Sequence, residues 1–243
     1  RLKPVRAEKF SLKPFGDLFK NKPWIYLTLV GICTNFFNGF RYAAAAYMFS
    51  YCLGGDVTVP GLIINYTVFM TFGEVVCMVA GGLSPKFTQW AGSKKKAFIY
   101  SGIICLVTSV LFFFIPMDPA YIWVMIAFVV ITSIGIGIYS PLLWSMYADV
   151  ADYATEKNGI SSTGLIFSSG TMSQKFGSAI SGALITLFLG WAGLHTPEGA
   201  SEPIIAAGSE ESVRTMVWAL FSIIPAAISV IMLFLVYKYP IKK

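Results

Sequence analysis

The sequence predicts an all-α membrane protein of six transmembrane helices, and three observations carry that prediction. The 243 residues are 56% hydrophobic and only 12% charged, where a soluble domain carries roughly a quarter charged residues. Six apolar stretches each reach the length of about 20 residues that a bilayer-crossing helix needs. The basic residues gather in alternate loops, which is how helical membrane proteins fix their orientation.

The spans follow in order as 24–53, 61–83, 97–116, 121–147, 162–189 and 216–237. Breakers separate them: Gly54-Gly55-Asp56 with Pro60, then Pro85, Pro116–Pro119, Asn158-Gly159 and Pro197–Pro203. A β-barrel needs segments of alternating polarity, and these runs do not alternate. One side collects Arg1, Lys3, Arg6, Lys9, Lys13, Lys20 and Lys22, then Lys86, Lys94, Lys95, Lys96, Lys157, Lys238, Lys242 and Lys243. The opposite loops hold Arg214 with Asp56, Asp118, Glu198, Glu202, Glu210 and Glu211. The basic side is therefore expected to be cytoplasmic, with both termini inside. Residues 1–23 read as a basic cytoplasmic leader, 24–237 as the bundle and 238–243 as a cytoplasmic tail. No short signal sequence opens the chain, and a start at Arg1 instead of Met implies a missing upstream part.

The charge distribution follows topology, so the net charge of +6 does not point to nucleic acid. Cys33, Cys52, Cys77 and Cys105 lie in or beside apolar runs without C-x-x-C spacing, which predicts buried thiols over metal ligands or disulfides. His195 reads as a loop residue. No cofactor, resident metal or enzymatic constellation is expected.

Ionisable groups within spans are costly and mark cavities or partners. Three stand out: Arg41, Glu74 and Lys175. Gly164, Ser168, Thr171, Lys175, Ser178 and Gly182 share one face of span 5, with Gln174 beside it. The small residues read equally as a packing seam, but a lysine this deep does not. Thr34, Asn38, Arg41 and Ala45 share a face of span 1, with Asn35 adjacent. Two amides and a guanidinium suit a multi-hydroxyl ligand; interhelical hydrogen bonding, or an Arg41 reaching outer headgroups, is the alternative. Glu74 reads as the neutraliser of Lys175 or as a proton carrier. Asp149 and Asp152 at the end of span 4 share a face, as gate ion pairs or as a solvated helix end. Spans 3 and 6 contain no charge and no amide. They are expected to face lipid, as the third helix of each triplet does in the 3+3 arrangement of half a major facilitator.

Asp149-Val-Ala-Asp152-Tyr153, Gly164-Leu-Ile-Phe-Ser168 and Gln174-Lys175-Phe-Gly177-Ser-Ala-Ile-Ser-Gly182 together resemble the glycoside–pentoside–hexuronide:cation symporters, the family of the melibiose carrier. Asn21-Lys22-Pro23, Tyr47-Met-Phe-Ser-Tyr51 and the loop from Gly81-Gly82-Leu83-Ser84-Pro85-Lys86 to Gly92-Ser-Lys-Lys-Lys96 extend the likeness over nearly the whole chain. The resemblance implies one half, the C-terminal one, of a twelve-span carrier in a bacterial-type inner membrane. It implies sugar or glycoside uptake coupled to sodium or proton entry, with the cation and an N-terminal six-helix half as partners. Lys175 and Thr171, with Glu74, then belong to the cation and coupling site. Asn35, Asn38, Arg41, Trp144 and Gln174 line the substrate cavity, and Asp149 and Asp152 form the cytoplasmic gate. The family's Gly-x-Arg-x-Glu-Gly is replaced here by Gly159-Ile-Ser161-Ser-Thr163-Gly164, so the charge network at that mouth must differ. Two other readings keep the six spans: a carrier of a lysolipid or other amphiphile, and a non-transporting structural or regulatory membrane subunit.

Overall fold

The computed structural model describes residues 16, 18–158, 163–197 and 203–241. Most of the leader, Ser161 of the altered loop motif, and Lys242 and Lys243 lie outside the described residues.

Helix α1 spans Lys22–Tyr47 and continues as one π-helical turn, Met48–Cys52. Asn21 caps its start, its side chain accepting from the Trp24 N–H, with Pro23 in the first turn. Span 2 is corrected. The stretch from Gly61 is no helix but half of a hairpin, β1 Val57–Val59 against β2 Leu62–Ile64. Pro60-Gly61 supplies the turn, Gly61 adopting φ 80°, a conformation that glycine takes without steric cost. Helix α2 then runs Tyr66–Ala91, from an Asn65 cap to Gly92. It passes through Pro85, which was expected to end it. A proline removes one backbone bond and crowds the carbonyl four residues back, and that residue is the side-chain-free Gly81.

Helix α3 is Lys94–Phe112 and α4 is Ile122–Asn158. At 37 residues, α4 is about 55 Å long, so it passes Tyr147 and projects well beyond the bilayer. Helix α5 is Thr163–Ala192, followed by the short pair β3 Leu194–His195 and β4 Ile204–Ile205. Span 6 is two helices, α6 Glu210–Phe221 and α7 Ile223–Lys238, broken at Ser222. Pro225 cannot donate to the Phe221 carbonyl, which accounts for a break at this point.

The helices pair as α1 with α5, α2 with α4, α3 with α4, α1 with α7 and α3 with α7. Exchanging the first triplet for the second maps this set of pairs onto itself, as a 3+3 repeat requires. The buried positions repeat too. Phe69, Gly73, Ala80 and Ser84 of α2 recur at one constant interval as Ile166, Gly170, Gly177 and Ser181 of α5. The fold is thus an all-α membrane bundle with the architecture of half a major facilitator.

Five of the described spans are long and apolar enough to cross a membrane by composition alone. Helix α1 is long enough but dilutes its apolar residues with Thr34, Asn35, Asn38 and Arg41. Spans 3 and 6 each keep an outward apolar face, Ile103, Val107 and Leu111 on α3 and Val230, Ile231 and Phe234 on α7. About half of the spanning stretch of α6–α7 and 44% of that of α3 are buried, against 28% for α2 and for α5. The other faces of spans 3 and 6 pack on each other: a Cβ on Gly102 of α3 would stand 2.8 Å from Leu233 of α7. Their hydroxyls turn inward, Ser101 to the Ala97 carbonyl and Thr108 to that of Ile104. The faces left most open belong to α2 and α5.

Candidate functional site

Helix α5 has two polar faces with different fates. Ile166, Gly170, Ser173, Gly177, Ser181 and Ile185 are buried. Gly177 admits the α1 backbone so closely that a Cβ there would stand 2.8 Å from both the Asn35 Cβ and the Ile32 carbonyl oxygen. The packing seam is therefore this stripe and not the one singled out in the sequence. Gly164, Ser168, Thr171, Lys175, Ser178 and Gly182 are all exposed from the bundle. The hydroxyls of Ser168 and Thr171 are returned to carbonyls of their own helix, Leu165 at 2.9 Å and Phe167 at 3.3 Å. Lys175 stands among them some 18 Å along the helix from Thr163, and among the described residues no carboxylate pairs with it.

Glu74 is not that partner. It lies on the open face of α2 and accepts a hydrogen bond from the Tyr42 hydroxyl of α1. Close contacts set α1 and α5 parallel, Gly31 beside Ser173, Asn35 beside Gly177 and Gly39 beside Ser181. In that register Lys175 is level with Cys33, while Tyr42 stands nine residues farther, about 13 Å along the axis. The neutralising reading of Glu74 is thereby corrected: the two charges occupy different depths on different open faces.

Arg41 is also placed differently from either expectation. It neither reaches headgroups nor points into an open cavity, being 4% exposed. Its guanidinium lies 5.7 Å from the Phe37 ring and 5.5 Å from the Phe221 ring at the α6–α7 break. Cation–π contact replaces a carboxylate there. Asn35 spends its amide N–H on the Gly31 carbonyl at 2.8 Å. Asn38 and Gln174 are half-buried, and no hydrogen bond within the described residues uses their amides. Trp144 of α4 stacks on Phe167 of α5, 6.3 Å apart and 3° from parallel. The site residues thus divide into an open group, Lys175, Thr171, Gln174 and Asn38, and a structural group, Asn35 and Arg41.

Sequence reasoning missed Tyr147 and Trp24. Tyr147 is fully buried where α1, α4 and α5 meet, its hydroxyl donating to the Leu27 carbonyl at 3.3 Å. The Trp24 indole N–H donates to Ser169 Oγ at 2.7 Å. Aromatics at span ends are so common that neither carried a distinguishing signal.

At the lysine-rich end, here the basic end, Asp149 and Asp152 part company. Lys94 Nζ pairs with Asp149 at 2.7 Å, with side chains 27% and 14% exposed. Lys95 Nζ donates to the carbonyls of Tyr237 and Tyr239 at 2.8 and 2.7 Å, closing the end of α7. One short basic turn thereby ties α3 to both α4 and α7. Asp152 is exposed one turn on. Burial, with the Asp149 carboxylate adding to it, holds the Tyr239 hydroxyl well above the usual phenol range, so it stays neutral beside that pair. Asp149→Asn and Lys94→Gln are each expected to destabilise the bundle by about 1–3 kcal/mol. The double variant should cost clearly less than the sum, read as thermal unfolding in a double-mutant cycle; additive losses would show that the pair contributes nothing.

Among the described residues no group of three or more His, Cys, Asp or Glu side chains comes together to hold a metal ion. A family described as MFS/sugar transport protein matches residues 3–243. The inner membrane symporter YicJ of Escherichia coli K12 is 26% identical over 210 residues, covering 86% of this chain and 42% of that protein. The glucuronide carrier protein homolog of the same organism is 24% identical over 228 residues, 92% of this chain and 45% of that protein. The isoprimeverose transporter of Lactiplantibacillus pentosus is 25% identical over 186 residues, 76% of this chain and 36% of that protein. The chain spans less than half the length of each of these three relatives, and all three carry the names of transporters and not of enzymes.

Proposed function

The chain belongs to the MFS/sugar transport protein family, and on that premise we propose that it forms one half of a secondary active carrier coupling sugar or glycoside movement to sodium or proton entry. The observation that carries the reading is the open face of α5. A mid-span ammonium, surrounded by hydroxyls and small residues, pairs with no carboxylate among the described residues. Such a group is costly in lipid and stable only against a polar cavity or an opposing charge. A second six-helix half closing over α2 and α5 supplies both.

In this reading Lys175 and Thr171 organise the coupling-cation site, and Glu74 contributes from the opposite depth. Asn38, Gln174 and the Trp144 ring meet the substrate, the amides by hydrogen bonds and the ring by stacking on the apolar face of a sugar. Names among the relatives, a glucuronide carrier homolog and an isoprimeverose transporter, support a saccharide ligand. The basic end is cytoplasmic in an inner-membrane orientation, and Asp149 with Lys94 holds the inner ends of the helices while Asp152 meets the other half. The halves rock about the central site, and the ion shifts that equilibrium by its differential affinity for the two states.

Lys175→Ala in the intact carrier tests this. Ion-driven accumulation of sugar should fall at least tenfold, the scale of a lost charge interaction of about 1.4 kcal/mol. Sugar exchange without an ion gradient should fall much less. Undiminished accumulation would remove Lys175 from the coupling site.

A further inference from the structure

Among the described residues two helices carry a proline in their interior, and they are neighbours: Pro85 in α2 and Pro141 in α4. Proline withholds the N–H that would close a helical bond to the carbonyl four residues back. The carbonyls concerned belong to Gly81 and Gly137, and the structure brings these two glycines together. Gly81 faces the Gly137 carbonyl oxygen, which lies 3.5 Å from where a Cβ would stand. A Cβ on Gly137 would strike the Cys77 carbonyl oxygen and stand 2.8 Å from the Ala80 Cβ. The backbones therefore touch at the level of both defects, with glycine Cα–H groups directed at carbonyls of the opposite helix. Ser84 adds a full hydrogen bond across the seam, its hydroxyl donating to the Ile138 carbonyl at 3.0 Å.

The repeat-related seam of α1 with α5 is built differently. Ser84 corresponds there to Ser181, and Pro85 to Gly182. The Ser181 hydroxyl turns back to the Ser178 carbonyl of its own helix at 2.8 Å. Neither α1 nor α5 has an interior proline; Pro23 stands in the first turn of α1, where no helical bond is lost. Helix α2 runs toward the basic end and α5 away from it, so the corresponding level of α1–α5 lies nearer the opposite end of the bundle. Helices bend where the ladder is broken. The α2–α4 seam has that break in both helices at one level, on the basic side. Beyond it, Asp149 of α4 pairs with Lys94, just past the end of α2, which joins the two outlying portions.

We propose that α2 and α4 share one hinge, at Gly81–Pro85 and Gly137–Pro141, about which their basic ends bend as a unit while α1 and α5 stay straight. The hinge is a property of the bundle itself; its use, opening the basic mouth, rests on the carrier reading.

Hydrogen–deuterium exchange of the purified protein, read on peptides of each helix, tests the hinge. Pro141→Ala restores a bond in α4 alone, yet it should also slow exchange of the α2 amides from Gly82 to Ala91 by roughly threefold or more. Pro85→Ala should act likewise on α4 from Leu142 to Asp149. Peptides of α5 around Gly182 should not change in either variant. Alanine is the best helix former, so both variants should fold, which an unfolding temperature no lower than that of the parent checks. Ser84→Ala should abolish the effect of one helix on the other. Slowing confined to the substituted helix, or equal slowing in α5, would overturn the shared hinge. In the intact carrier, Pro85→Ala/Pro141→Ala should bind sugar with unchanged affinity and turn over roughly tenfold more slowly. Unchanged turnover beside slowed exchange would overturn the role in opening the basic mouth. An intact carrier that moves no sugar would overturn the carrier reading, and exchange would still decide the hinge.

Discussion

Arg41→Met is expected to make the bundle more stable and, in the carrier proposed above, to abolish sugar uptake. The guanidinium is almost wholly buried, with cation–π contacts to the Phe37 and Phe221 rings. Cation–π contact returns on the order of 1–2 kcal/mol, less than the several kcal/mol that desolvating a charge costs even after relaxation. A methionine of similar length fills the same space without that cost, and replacing buried charge by apolar packing gains about 1–4 kcal/mol in comparable cases. The unfolding temperature of the purified chain should therefore rise. Retaining an expensive charge in a span implies that it does something else. Its position against the last residue of α6, where the final span breaks at Ser222, points to movement at that break. Sugar uptake by the intact carrier should fall at least tenfold while protein level is maintained. A variant that is more stable and still fully active would show Arg41 to be dispensable.

Gly177→Leu should have the opposite character, a loss of assembly instead of a loss of activity alone. The backbones of α1 and α5 meet at Gly177, where even a Cβ would stand 2.8 Å from the Ile32 carbonyl oxygen and the Asn35 Cβ. Those atoms belong to a helix backbone or its first side-chain carbon and cannot turn aside. Membrane helices associate through such close packing of small residues because lipid gives them no hydrophobic drive. Overpacking a seam of this kind costs about 1–3 kcal/mol or more, and the whole α1–α5 contact is at stake. Folded yield and unfolding temperature should both drop sharply. Leucine at Gly182, an exposed position on the same helix with open space about it, should change stability little.

The number of spans and the triplet arrangement were legible because bilayer length and helical period act directly on composition. Span 4 illustrates the limit. Its apolar run gave the membrane portion, but nothing in hydropathy marked its continuation to Asn158, since helix propensity persists in polar sequence. The Val57–Ile64 hairpin was hidden because its strands are as apolar as a span, and only Pro60-Gly61 betrayed it. On α5, period alone identified Lys175 and its stripe, yet two stripes of small residues satisfy the same spacing. Which one packs depends on the α1 surface, where Gly31, Asn35 and Gly39 determine the match. Glu74 and Lys175 were grouped because sequence carries charge but not depth. The α1–α5 register, a tertiary property, separates them.

The pairing of α1 with α5 and α7, far along the chain, has a consequence for biogenesis. Membrane insertion delivers helices in order, yet α1 cannot bury Gly31, Gly39 or Arg41 until α5 and α6 have emerged. At roughly 5–20 residues per second, that interval lasts many seconds, during which the most polar span of the bundle has no permanent neighbour. Its amides and guanidinium remain costly in lipid until those partners arrive. The bundle thus closes only when its last span, α6 and α7, has joined α1.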